Sequence, residues 1–180
     1  MRVGADRHEG ARKGGAKVVI RRKYNGPPKD EPWLWLTREL INSEAFRALS
    51  GNAMKIVMRV GEEHMAHGGT DNGKLLVTHK QFAAYGIRLA SVAEAIREAE
   101  FFGFLAVDRG MAYKGGHEPN LYRLTWLGCH NGFAPTNQWK GIGDQHVKVW
   151  RERRAVKVLG KKNRLSRSRE TTSTVIQLRG

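Results

Sequence analysis

An α+β fold that is mainly helical is predicted by three observations on this chain of 180 residues. An apolar-striped helix of about four turns is expected from Asn52 to Ala66. Two shorter helical patterns joined by a tight turn follow between Thr78 and Gly103. Two β-prone stretches, Phe104–Val107 and Leu121–Trp126, then bracket a loop rich in glycine. A helix-turn-helix followed by a hairpin with a long tip is the winged-helix layout, here with a three-stranded sheet and basic flexible N- and C-terminal arms.

The elements are justified in chain order. Residues 1–30 form a basic arm, in which Lys17–Lys23, KVVIRRK, reads as a segment that orders on binding, and Pro27-Pro28 closes it as a stiff linker. Hydrophobicity rises at Trp33-Leu34-Trp35-Leu36, where the domain of residues 31–127 starts, and Trp33, Trp35 and Trp126 are expected in its core. Thr37 and Ser43 are placed to cap short helices, the second over Glu44–Leu49, and Ser50 precedes the long helix. In that helix Ala53, Ile56, Val57 and Val60 supply the apolar stripe. Gly68-Gly69 ends it, Asp71-Asn72-Gly73 makes a turn, and Leu75–Val77 is a strand expected to pair with the hairpin.

Thr78 and Gln81 have capping-box spacing, so the next helix begins at Thr78 and breaks at Tyr85-Gly86. The second helix of the pair, about residues 89–102, sets Val92, Ile96, Ala99 and Phe102 on one side as the core face. Ala90, Ser91, Glu94 and Glu98 fall on the other side, with Arg88 and Arg97 at its margins. Beyond Trp126 a loop over Gly128–Gly143 contains Trp139. Asp144 then caps a helix to about Leu159, with Gly160 just past its end, which completes a loop-plus-helix segment of residues 128–160. Val147, Trp150 and Val158 lie roughly on one side of this helix and Arg151, Arg153, Arg154 and Lys157 crowd the rest. It either docks through Trp150 or lies along DNA, and Trp139 and Trp150 are candidates to stack on a partner. Residues 161–180 are a basic tail expected to be disordered, with a β-prone end at Thr171–Leu178.

From Trp33 to about Trp139 several blocks in order resemble a family of mostly uncharacterised bacterial winged-helix proteins, related in pattern to plasmid replication initiators. The blocks are WLTREL from Trp35, SEAFRALSGNA from Ser43, EHMAHGG from Glu63, NGKLLVT from Asn72, YGIR from Tyr85, AIREAE from Ala95 and LYRLT from Leu121. The resemblance implies double-stranded DNA binding, in transcription regulation or in replication or maintenance of a mobile element. It implies no defined reaction or target, and both ends of the chain lie outside it.

Charge is unevenly distributed. The 32 Lys and Arg against 17 Asp and Glu give +15, partitioned as +6 over residues 1–30, zero over 31–127 and +9 over 128–180. A balanced core between two basic arms suits a module held on a polyanion, since each neutralised phosphate releases counterions. Cys129 is the single cysteine, which excludes an internal disulfide and fits a reducing compartment. The longest apolar runs, Val18–Ile20 and Trp33–Leu36, are too short for a signal peptide or membrane span. The expectation is a cytoplasmic, nucleoid-associated protein without a membrane partner.

Candidate DNA contacts are Arg88, Ala90, Ser91, Glu94 and Arg97 at the recognition helix, and Arg109, Lys114 and His117 in the wing, residues 109–117. Arg21, Arg22 and Lys23 in the first arm and Arg151 and Arg154 in the last helix complete the set. Ser91 with Glu94 also has capping-box spacing, which would take the hydroxyl away from DNA. Glu94 and Glu98 repel phosphate unless one accepts from a cytosine amino group, so the same face, with Phe101, supports an alternative reading as a protein-interaction module. A nonspecific nucleic-acid binder, including RNA, acting through the arms is a third reading. His64 and His67 beside Glu62 and Glu63, with Cys129-His130 far along the chain, lack metal-motif spacing, and no metal or cofactor is expected. No nucleophile–base arrangement or phosphate-binding loop is present in the pattern, so no enzymatic activity is expected. A homodimer or other protein partner is left open.

Overall fold

The structure is a computed structural model that describes residues 30–113 and 116–177, with side chains described for 30–111 and 118–160. It is α+β, about half helical, with a small three-stranded antiparallel sheet. The helices are α1 (Arg38–Asn42), α2 (Glu44–Ala48), α3 (Gly51–Ala66), α4 (His79–Ala84), α5 (Leu89–Phe101) and α6 (Asp144–Gln177), with one 3-10 turn at Gln138–Gly141. The strands are β1 (Leu75–Leu76), β2 (Leu105–Asp108), β3 (Ala112–Tyr113), β4 (Gly116–His117) and β5 (Leu121–Leu124).

Local chemistry sets most of these boundaries. Thr37, Ser43 and Ser50 each accept a backbone N–H three residues on, which satisfies one of the orphan donors of α1, α2 and α3. Thr78 and Gln81 make the full reciprocal capping box at α4. Gly86, at φ 88°, ends α4 and turns the chain into α5, and Lys55 from α3 donates to its carbonyl at 3.1 Å.

The sheet has the order β1-β5-β2, with Leu75 opposite Tyr122 and Leu105 opposite Leu124. The β2–β5 hairpin carries a second two-stranded ladder, β3–β4, between its strands in the chain. Asn72 knits the sheet to the turn after β5: the two N–H groups of its Nδ2 are shared among the carbonyls of Leu124, Gly128 and, at the longer distance of 3.2 Å, Leu127, and its Oδ1 accepts from Leu124 N–H at 2.7 Å. A fully buried amide with every one of these bonds made is a net stabilising element; left unpaired it would be costly. The core lies between α3, α5 and the sheet, with Phe82 edge-on to Tyr122 and Phe46 and Trp126 edge-on to Phe104.

Four expectations are corrected here. Trp33 and Trp35 are 44% and 60% exposed; residues 33–35 alternate as extended chain does, so Leu34 packs against the core while the two tryptophans stack on each other outside, centroids 5.1 Å apart. Trp139 and Trp150, candidates to stack on a partner, are instead buried in the core cluster with Val147. Finally, α6 does not stop before Gly160 but continues as helix to Gln177, so the tail is not disordered over that stretch. One glycine costs only about 1 kcal/mol relative to alanine in a helix, and the flanking Lys, Arg and Leu are good helix formers. Asp144 is the first residue of α6 rather than its cap; the carbonyl of Gly143 accepts from His146 and Val147.

Gly103 ends α5 at φ 74°, and a Cβ there would stand 2.6 Å from the backbone of Gln138 and Trp139. Gly51, the first residue of α3, has open space around it. Gly103→Ala should therefore lower unfolding free energy by about 2 kcal/mol or more, while Gly51→Ala should leave it unchanged or raise it by up to about 1 kcal/mol, read by urea titration.

Candidate nucleic-acid interface

The turn between α4 and α5 presents Arg88, Leu89 and Ala90 to solvent, and Arg97 is exposed two turns further along α5. Arg88 is the N-cap residue and makes no side-chain capping bond, because its side chain is a donor and the orphan groups of a helix start are donors too. Ser91 is thus the third residue of the helix, its own N–H bonded to the Arg88 carbonyl at 2.7 Å. The Ser91–Glu94 capping box does not form. Glu94 reaches sideways to Arg97 at 2.8 Å and to Lys157 of α6 at 3.1 Å. Partial burial pushes the Glu94 carboxyl up, but the hydrogen bonds from Arg97 and Lys157 outweigh that and hold it below the ordinary glutamate value.

Glu98 is not on a groove-facing side. It is 2% exposed, and its two carboxylate oxygens accept from the N–H of Ser50 at 2.7 Å and from the Ser50 hydroxyl at 2.9 Å. The physical reason lies at the start of α3. Its third residue is Ala53, so no Glu or Gln is available to complete a capping box, and α5 supplies the missing carboxylate. The opposite face of α5 as read from the sequence therefore contains one buried carboxylate and one neutralised one.

Helix α6 lies alongside α5. Trp150 stacks on Phe101 with centroids 4.9 Å apart and meets Phe102 edge-on at 6.0 Å, while the Arg153 guanidinium sits over the Phe101 ring at 5.4 Å. From Phe101–Trp150 to Glu94–Lys157 the contact moves seven residues back on α5 and seven forward on α6, so the two helices run antiparallel. Of the sequence alternatives for this helix, docking through Trp150 is the arrangement found. Arg151 and Arg154 remain exposed on α6, Arg154 in the wall of the cleft against α5. A cleft of about 400 Å³ opens between α5, α6 and the start of α3, with Ser50, Asn52, Ser91, Glu94, Arg154 and Lys157 in its wall.

In the hairpin, Arg109 is exposed and forms a two-point ion pair with Glu100 of α5, at 2.9 and 2.5 Å, which raises its pKa further and ties the strand end to the helix. The side chains of Lys114 and His117 lie outside the described residues, as do Arg21, Arg22 and Lys23 altogether. The histidines are dispersed by their partners: Arg59 takes Glu62 and Glu63, and His67 pairs with Glu63 and Asp71. Among the described residues no group of three or more His, Cys, Asp or Glu is placed to hold a metal ion. His64 is buried with Nδ1 lacking a partner among the described residues, and burial, only partly offset by Asp71, lowers its pKa. A larger cleft of about 1210 Å³ at Trp33, Trp35, His64 and Leu127–His130 has the carboxylates Asp30 and Glu31 in its lining, which disfavours a phosphate there.

No helix among the described residues is long and apolar enough to cross a membrane. Comparison with protein-family models, curated proteins and solved structures finds no match to this chain.

Two outcomes are expected from this geometry. Glu98→Ala strands the Ser50 donors and should cost about 2–3 kcal/mol by urea titration, with Glu98→Gln intermediate because it keeps one acceptor; a loss below about 0.5 kcal/mol would remove the capping role. His64 is held neutral in the folded chain while the unfolded chain takes a proton below about pH 6.5, so folding stability should be complete above that pH and decline as pH falls below it. Melting temperature should be lower at pH 5.5 than at pH 7.5 for the parent chain, and the difference should be smaller for His64→Leu.

Proposed function

We propose that the chain binds double-stranded DNA as a winged helix-turn-helix protein, with α4–α5 as the helix pair, the β2–β5 hairpin as the wing and α6 as a second basic element. The observation that carries this reading is the surface along α5: Arg88 and Arg97 are exposed on it, and Arg151 and Arg154 are exposed on the helix packed beside it. Four cations spread over two adjacent helices suit a phosphate backbone better than they suit any compact anionic ligand. The carboxylates of α5 are occupied: Glu94 by Arg97 and Lys157, Glu98 by Ser50, and Glu100 by Arg109.

In this reading α5 enters the major groove through its Arg88–Ala90 end, where Arg88 reaches a guanine edge or a phosphate. Residues 1–30, at +6, and residues 161–180, with six Lys and Arg against one Glu, add salt-sensitive affinity. Transcription regulation or replication or maintenance of a mobile element follows from the block-wise resemblance to bacterial winged-helix proteins. The reading as a protein-interaction module is weakened, since the acidic face on which it rested keeps neither Glu98 nor an unpaired Glu94.

Selection from a random duplex library at near-physiological salt tests the proposal on the full chain and on a chain ending at Gly160. Both should enrich the same motif, the shorter chain with weaker binding and a salt slope shallower by about 0.9 for each phosphate it no longer neutralises. Arg88→Ala should relax the motif at one or two positions. Binding without any enriched motif, collapsing as salt rises, would replace this reading with nonspecific polyanion binding.

A further inference from the structure

Arg154 and Lys157 are one turn apart on α6 and both line the cleft against α5, yet their surroundings differ. Lys157 donates to both carboxylate oxygens of Glu94, at 3.3 and 3.1 Å. Arg154 has no ion-pair or hydrogen-bond partner among the described residues and is exposed. Glu94 is the one carboxylate on this flank of α5 that remains partly open to solvent, at 30% side-chain exposure, because Glu98 behind it is consumed by Ser50. Arg97 alone cannot cancel it in the presence of DNA. An exposed (i, i+3) pair contributes only a few tenths of a kcal/mol, so a phosphate approaching α5 competes with Glu94 for that guanidinium.

From this we infer a division of labour between the two cations: Lys157 is a positioning residue that neutralises Glu94, and Arg154 is the residue of the α5–α6 cleft that contacts a DNA phosphate. The inference rests on the duplex-binding reading above and assigns roles within it. A carboxylate beside the recognition helix would repel a duplex; α6 places a second counter-ion on it from outside the helix pair. The Trp150–Phe101 stack holds α6 close enough for that ion pair to persist. The unpaired guanidinium three residues earlier then offers its planar donors to a phosphate, for which bidentate geometry suits arginine better than lysine.

The roles are separated by duplex affinity at fixed salt for the full chain, with Lys157→Ala, Arg154→Ala and Glu94→Gln alone and in pairs. Lys157→Ala should weaken binding about fivefold to tenfold in the parent and less than about twofold in the Glu94→Gln background, where no carboxylate is left to neutralise. Arg154→Ala should weaken binding by the same factor in both backgrounds and reduce the salt slope by about 0.9. If Lys157→Ala is as damaging in the Glu94→Gln background as in the parent, Lys157 is itself a phosphate contact and the division is wrong. If Arg154→Ala is silent in both backgrounds, the cleft does not receive a phosphate. Circular dichroism melts on each variant separate these losses from unfolding. Absence of duplex binding by the unmodified chain would remove the DNA reading and the assignment together, an outcome distinct from binding with the wrong pattern of coupling.

Discussion

The carboxylate of Glu98 at the start of α3 is the interaction on which the placement of the rest depends. A buried, ionisable side chain is tolerated only where hydrogen bonds replace its hydration, and the N–H and hydroxyl of Ser50 supply two of them. The bond is directional, so it fixes the rotation of α5 about its axis as well as its distance from α3. With that rotation set, Val92, Ile96 and Ala99 face the core and Ala90, Arg97 and Phe101 face outward or toward α6. Hydrophobic burial alone would tolerate some slippage of this face; a two-point hydrogen bond does not.

The same rotation explains why the carboxylates of α5 do not form an acidic patch. Glu94 lands on the flank where α6 passes, Glu98 inside, and Glu100 on the flank where Arg109 leaves β2. Residues 31–127 are neutral in sum, yet this neutrality is arranged rather than averaged: the acids of α5 are engaged while Arg88 stays exposed, and Arg151 and Arg154, beyond that span, stay exposed on α6. A surface potential follows from which charges are left over after pairing, not from the count.

Much of the fold is legible in the sequence because its signals are local. Caps at Thr37, Ser43, Ser50 and Thr78, the turn at Gly86 and the end at Gly103 involve residues within four positions of each other, and all appear where the pattern places them. The strands at residues 75, 105 and 121 and the pairing of the first with the hairpin are readable in the same way. The illegible features depend on partners far along the chain. Glu98 looks like a solvent-side residue until Ser50, 48 positions earlier, is seen to lack its own acceptor; the absence of Glu or Gln at position 53 is the available signal. For Trp33 and Trp35 aromatic character misleads, and the two-residue period that turns Leu34 inward is the better guide. Trp150 and Lys157 sit on a helix whose partner, α5, is more than forty residues away, and Gly160 is too weak a stop against good helix formers on both sides. Of the candidate site, Arg88, Arg97, Arg151 and Arg154 are brought to neighbouring helices, while the roles of Ser91, Glu94 and Glu98 need the tertiary structure.

The indole N–H of Trp126 donates to the carbonyl of Trp35 at 2.8 Å, and Lys140 pairs with Glu39; these join positions 91 and 101 residues apart. When the chain is synthesised from its N-terminus, the strip that opens the domain therefore waits for partners made about a hundred residues after it. The Trp35 carbonyl cannot be anchored until Trp126 has left the ribosome, whereas Leu34 packs on Gly61 of α3, made only 27 residues after it. Closing so long a loop costs entropy that only the finished sheet can offset. The strip is thus held in two stages: Leu34 rests on α3, and the Trp35 carbonyl is fastened only once β5 and Trp126 are in place.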